Sequence, residues 1–433
     1  MKRLIATLVL TGIAAMAFAA GAAEEASQSA EAREVVFQHW TTDMKPIWDA
    51  AIEDFEAANP GVTVTQEILP YGDYWTKIPI AMAGGAGPDL YVMTRPNFEP
   101  FAAAGRAASL DAEMETSEAL QTTMSAVEQS VIDVYKYRGE QMGVPWTVES
   151  TAMIFNKTIF QEAGMTFPSE IEDTWTWDDM REMAIALTER ENGEITQYGL
   201  HVIPNRLPTF DFIWSNGGEL YSEDGTEVLA GSPQAVQTME YLTRLVVEDQ
   251  VSPSYSFSKT VGAMEHFMSG TVAMIPAGCW NMARLRGITD FEWDVAEFPR
   301  SPFTGERQVA SNVLGFIVGP NTTVKEETLE VVAAFTSQEP MMAMAAAGAN
   351  IPARNDSRAP YFNLDVPANA EAYERALDYI HPMILSEHVS YPETLRILTT
   401  DALEKMYNGK EPAAEAWLAG VAEIEALLEE RVE

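Results

Sequence analysis

Residues 34–104 read EVVFQHWTTDMKPIWDAAIEDFEAANPGVTVTQEILPYGDYWTKIPIAMAGGAGPDLYVMTRPNFEPFAAA. Glu34 to His39 is β-like and leads into Trp40-Thr41-Thr42-Asp43. Ile47, Ala51, Phe55 and Ala58 then recur at helical spacing, with Thr42 or Asp43 placed to cap that helix. Asn59-Pro60-Gly61 stops it, and Val62, Val64, Gln66 and Ile68 alternate as a strand. Tyr71 to Ala83 reads as a helix ending at Gly84-Gly85, Leu90 to Met93 as a short strand, and Pro96 to Ala104 as another helix. Strand, helix, strand, helix, strand is the pattern of an α/β fold with a parallel sheet. Ligands of such sheets sit beyond the carboxyl ends of the strands, which points to His39–Asp43 and Thr94-Arg95.

Moving outward, the pattern breaks near Gly143-Val144-Pro145-Trp146 and restarts. Thr151 to Phe155 predicts a strand, and Asn156 can cap the helix that runs to Gly164. Thr176 with Asp179 three residues later predicts a capping box for the next helix. Val313 to Val318 begins a third, β-like section. Trp417, Val421, Ile424 and Leu428 form the apolar face of a C-terminal surface helix. About 400 residues suit two lobes at roughly 100–200 residues each.

At the other end, Lys2 and Arg3 precede an apolar stretch, Leu4 to Phe18, followed by small residues around Ala17-Phe18-Ala19. This is the pattern of a cleaved secretory signal, assigned to 1–23. The apolar run is shorter than the roughly 20 residues of a membrane anchor. No cysteine stands near the cleavage point to carry a lipid. Residues 24–33 lack aromatic residues and predict a flexible leader. Cys279 is the one cysteine, so no internal disulfide forms, and a small buried filler is the simplest role for it. The chain has 27 basic and 65 acidic residues, a net −38; loss of Lys2 and Arg3 leaves −40. Such a surface repels nucleic acid and anionic membranes.

Five blocks together resemble the extracellular solute-binding proteins of family 1, the sugar-binding group of ABC importers. They are residues 37–93 within the stretch quoted above; GEQMGVPWTVESTAMIFNKTIFQEAGMTFPSEIEDTWTWDDMREMAIALT (139–188); WSNGG (214–218); FMSGTVAMIPAGCW (267–280); and LGFIVGP (314–320) with NIPARND (350–356). They follow one another in family order across nearly the whole chain. The resemblance implies a two-lobed periplasmic-binding-protein fold, type II-like, each lobe a mostly parallel sheet flanked by helices. The lobes close on ligand about a hinge. The implied crossings fall near 144–147, 309–312 and 351–354. One lobe would comprise 34–144 with 311–352, the other 145–310 with 355–433. The implied role is capture of a sugar in the periplasm and delivery to ABC-transporter permease subunits, by a monomer without cofactor or metal.

A sugar site needs flat apolar rings and fixed polar groups. Trp280, following Gly278-Cys279, is where the resemblance places a stacking aromatic; the other role open to it is core packing. Trp40 follows the first strand, where the sheet rule expects ligand. Trp146 is a hinge packer or a contact, and Trp214, before Asn216, stands equally open. Asp43 either accepts sugar hydroxyls or caps a helix. Tyr74, Thr94 and Asn312 are further candidates. Arg354 lies in the IPAR segment, where the family places a cleft residue, or else makes a salt bridge. Many relatives carry glycine and an aromatic residue where this chain has Ser311-Asn312-Val313-Leu314.

The five histidines show no metal spacing, and no H-E-x-x-H, paired cysteines, G-x-S-x-G or phosphate loop occurs. The sequence therefore reads as a binding protein and not an enzyme. A secreted glycoside hydrolase is the rival of a different class. A dianionic ligand requires several converging cations, and the candidate segments offer only Arg95 and Arg354. An uncharged mono- or oligosaccharide is therefore expected, with a sugar acid or a sugar or glycerol phosphate as the alternative.

Overall fold

The computed structural model describes residues 33–202, 207–310 and 312–432. The signal and nearly all of the leader lie outside these residues. Arg33, the last residue assigned to the leader, is instead the first of strand β1 (Arg33–His39), pairing with Val62.

Strand β1 places Val35, Phe37 and His39 on the buried face. It is followed by helix α1 (Lys45–Ala58) and strand β2 (Val62–Ile68), then helix α2 (Tyr71–Ala83), strand β3 (Leu90–Thr94) and helix α3 (Arg95–Ala103). Two local readings are corrected. Helix α1 has no side-chain cap from Thr42 or Asp43: a 3-10 turn (Thr42–Met44) precedes it, and Pro46 lies in its first turn, where the fixed φ suits a helix start. Its buried face is Trp48, Ile52 and Phe55: Phe55 lies there as expected, while Trp48 and Ile52 replace their neighbours Ile47 and Ala51 because the large indole takes the core position, and Ala58 is exposed.

Further along come β4 (Gly143–Glu149), β5 (Thr151–Asn156), helix α4 (Lys157–Glu162), helix α5 (Trp177–Leu187), helix α6 (Leu207–Ser215), β6 (Met274–Gly278), β7 (Trp293–Ala296), β8 (Asn312–Val318), β9 (Ile351–Pro352) and helix α7 (Ala413–Val432). The larger sheet has six strands in the order β9-β4-β8-β3-β1-β2, and the smaller has three, β6-β5-β7. Parallel neighbours in these two sheets are β2 with β1 and β1 with β3. Strand β8 is antiparallel to both β3 and β4, β9 is antiparallel to β4, and both neighbours of β5 are antiparallel to it. The expected mostly parallel pairing thus holds only for the opening unit. The physical reason is where β8 enters. It starts beside Thr94, at the carboxyl end of β3, and so runs against it.

Local capping matches the sequence. Asn156 accepts from the Ile159 amide, and Thr176 and Asp179 form the capping box of α5. Helix α7 buries Trp417, Val421, Ile424 and Leu428, and the Trp417 indole donates to the Ala230 carbonyl at 2.7 Å.

Candidate functional site

Glu149 closes β4, Asn312 opens β8, and the two are register partners; Asn350 immediately precedes β9. Three chain passages therefore leave or enter the large sheet at one end. There Nδ2 of Asn312 donates to Oε2 of Glu149, and Nδ2 of Asn350 donates to Oε1, both at 2.5 Å. Burial pushes the Glu149 carboxyl up to about 7, against the opposing pull of the two amides. Asn350 is fixed at its other end, since its Oδ1 accepts from the Ile351 amide at 2.9 Å and from the Cys279 thiol at 3.4 Å. A second carboxylate, Asp211 on α6, accepts from the Thr151 hydroxyl and, at 2.7 Å, from the Ala310 amide. Burial pushes it, too, up to about 7. Glu149, Asn350 and Asp211 were not singled out in the sequence. For Glu149 the one available signal was a carboxylate closing the otherwise uncharged strand GVPWTVE.

Trp40 follows β1 and is half-buried, its ring 5.3 Å from Tyr71, 4.8 Å from Tyr74 and 5.4 Å from Trp75. Trp280 follows β6 and is also half-buried. Its ring folds back over Gly278, where a Cβ would stand 2.0 Å from the indole, so only glycine admits this arrangement. Both tryptophans border the same apolar cluster, which includes Val148, Val313 and Ile351 from the chain passages. Asp43 is exposed beside Trp40's loop.

The other predicted residues have protein partners. Tyr74 is buried and its hydroxyl donates to the Val92 carbonyl at 2.6 Å. Thr94 is buried and accepts from Asn97 Nδ2 at 2.8 Å. Trp146 packs between Trp48 and Phe316, at 5.3 and 5.6 Å, in the core under α1. Trp214 is buried with His381 stacked on it at 4.5 Å. Asn216 donates to Gln234 and Gln237 and accepts from Ser301. Arg354 is buried and makes a two-point pair with Asp356, at 3.0 and 2.7 Å, which holds that carboxyl below its ordinary range. Arg95 Nη1 donates to the Met383 carbonyl at 3.0 Å. Trp40 and Trp280 thus border one apolar cluster, to which the chain passages contribute Val148, Val313 and Ile351, while Trp146 and Trp214 lie in separate cores.

Among the described residues no group of three or more His, Cys, Asp or Glu side chains is arranged to hold a metal ion. Burial raises the Cys279 thiol well above its usual pKa, which leaves it a poor nucleophile. No helix of the described residues is long and apolar enough to cross a membrane.

The chain belongs to the bacterial extracellular solute-binding protein family, whose model matches residues 39–342. It is 24% identical over 327 residues to a binding protein of Brucella abortus, covering 75% of each chain. It is 22% identical over 265 residues to an arabinooligosaccharide-binding protein of Halalkalibacterium halodurans, covering 58% of this chain and 55% of that one. Among solved structures, an ABC substrate-binding protein of Listeria monocytogenes in complex with cycloalternan superposes with a TM-score of 0.81 at 24% identity, covering 91% of this chain and 98% of that one.

Proposed function

We propose that this protein captures an uncharged sugar or oligosaccharide between its two lobes and delivers it to the membrane permease of an ABC importer. The observation that carries this reading is the pair of half-buried tryptophans, Trp40 and Trp280, each just past the carboxyl end of a strand and both bordering the cluster at the chain passages. Half-exposed indole faces suit the weakly apolar faces of sugar rings, and nearby amides and carboxylates suit hydroxyls. Named ligands of relatives, arabinooligosaccharide and cycloalternan, are of this chemical class.

The lobe division 34–144 with 311–352, against 145–310 with 355–433, is part of the proposal. The strand ends meeting at Glu149, Asn312 and Asn350 support three crossings at one end of the six-stranded sheet, with the first placed after Glu149 rather than at 144/145. Export through the N-terminal signal, a periplasmic site of action without lipid, and a monomeric state complete the reading. Catalysis forms no part of it.

A sugar acid or sugar phosphate is the second reading, favoured by one observation. Arg95 donates to a main-chain carbonyl rather than to a carboxylate. A thermal-shift screen of matched pairs, each neutral sugar against its uronic acid and its phosphate, tests both. Ligand at 100 times its dissociation constant adds about 2.7 kcal/mol of stability. Stabilisation by the neutral members supports the proposal. Stabilisation by the charged members alone, lost in Arg95→Ala, replaces it with the second reading. Release of a shortened oligosaccharide would establish the hydrolase instead.

A further inference from the structure

The two amides on Glu149 are not equivalent. The Asn350 amide is locked at both ends, its Oδ1 by the Ile351 amide and the Cys279 thiol and its Nδ2 by Glu149 Oε1. The Asn312 amide is held at one end only: Nδ2 meets Glu149 Oε2, while among the described residues its Oδ1 is buried without a hydrogen-bond partner. A buried acceptor left open costs free energy unless something donates to it. The titratable groups that face Glu149 are Tyr135, Cys279 and Tyr361, all pushed up by burial and none a cation.

We propose that Glu149 is a positioning residue for solute recognition: by accepting from Asn312 Nδ2 it presents Asn312 Oδ1 as the fixed acceptor for a solute hydroxyl. The proposal rests on the sugar-binding reading above. It includes a consequence of acid–base chemistry. An ionised carboxylate only accepts, whereas a protonated one donates from one oxygen. Oε1 faces an amide nitrogen that cannot turn, so the proton settles on Oε2. Asn312 then rotates its amide to accept that proton and presents Nδ2 where Oδ1 had been. The ordinary carboxyl range is raised here to about 7, so this exchange falls near neutral pH. The site changes from acceptor to donor as pH falls.

The test is calorimetric titration of wild type and Glu149→Gln with maltotriose, cycloalternan and an arabino-oligosaccharide, between pH 5.5 and 8.5. Melting of each free protein is followed over the same range to confirm folding. Wild type is expected to bind about tenfold differently at the two pH extremes, the size of one hydrogen bond gained or lost. Glu149→Gln is expected to show no such pH dependence, because its amide does not titrate. Asn312→Ala should abolish the pH dependence as well. Equal pH profiles in wild type and a folded Glu149→Gln variant would overturn the positioning role while leaving sugar binding intact. No binding of these sugars by wild type would remove the sugar-binding reading for this set and the positioning role with it.

Discussion

Replacing Trp280 and Trp146 by alanine should separate two kinds of tryptophan. Trp146 is enclosed by Trp48 and Phe316, so Trp146→Ala is expected to cost about 3–5 kcal/mol of stability. Trp280→Ala, at a half-buried ring, should weaken sugar affinity by about 0.5–1.5 kcal/mol beyond area burial, with a smaller loss of stability. Calorimetry and melting on the same pair of variants check this; wild-type affinity in Trp280→Ala with a large melting drop would assign that ring to the core. His201 gives a pH prediction. It is buried, with Nδ1 3.2 Å from Nδ1 of His266 and Nε2 2.8 Å from the Ser258 hydroxyl. Burial, then the neighbouring histidine, lower its pKa from 6.5 to about 3. The unfolded chain therefore takes up the proton first, and the contribution of neutral His201 is full above pH 6.5 and lost progressively as pH falls below it. Urea denaturation at pH 7.5 and pH 5 should show wild type losing about 2 kcal/mol more than His201→Gln over that interval. That aromatic residues follow the first strand and β6 was legible in the sequence, but what each ring touches was not. Glu149 was illegible as a site for a simple reason: its partners lie 163 and 201 residues away.

At the scale of elements, local chemistry was readable and pairing was not. The Thr176–Asp179 capping box joins residues three apart, so its signal lies within one turn. Thr176→Ala is expected to destabilise by about 1 kcal/mol, measured by denaturant unfolding, with no change in sugar affinity, since α5 packs in a core other than the one bordered by Trp40 and Trp280. An unchanged unfolding midpoint would contradict the cap's contribution. The helical period of α1 was legible and its phase in the first turns was not: Ile47 and Trp48 are both apolar, and only packing against Phe37 and Phe335 selects the indole. Strand direction was misjudged because β8 arrives from a passage more than 150 residues after β4 ends. No local pattern records which end of a sheet such a strand enters.

At the scale of the molecule, the net charge of −38 acts on the fold through self-repulsion. Salt shortens the reach of that repulsion from about 30 Å at 0.01 M to about 3 Å at 1 M. Raising sodium chloride over this range should increase the melting temperature, and the increase should shrink when acidic surface residues are replaced by neutral ones. A flat response would show that local ion pairs, such as Arg181 with Asp249 and Arg307 with Glu297, offset the long-range term. Two lobes were legible in the restart of the α/β pattern after Pro145, because length and repeated element order are whole-chain properties. The solute is not written at that scale; in the proposed reading it depends on a few groups such as Trp40, Trp280 and Asn312. The most direct test of the account is an equilibrium titration with neutral oligosaccharides followed by tryptophan fluorescence, on wild type and on the Trp40→Ala/Trp280→Ala double variant. The account predicts saturable one-to-one binding by wild type, abolished in a double variant that remains folded; full-affinity sugar binding by that double variant, or binding by wild type of sugar phosphates alone, would contradict it.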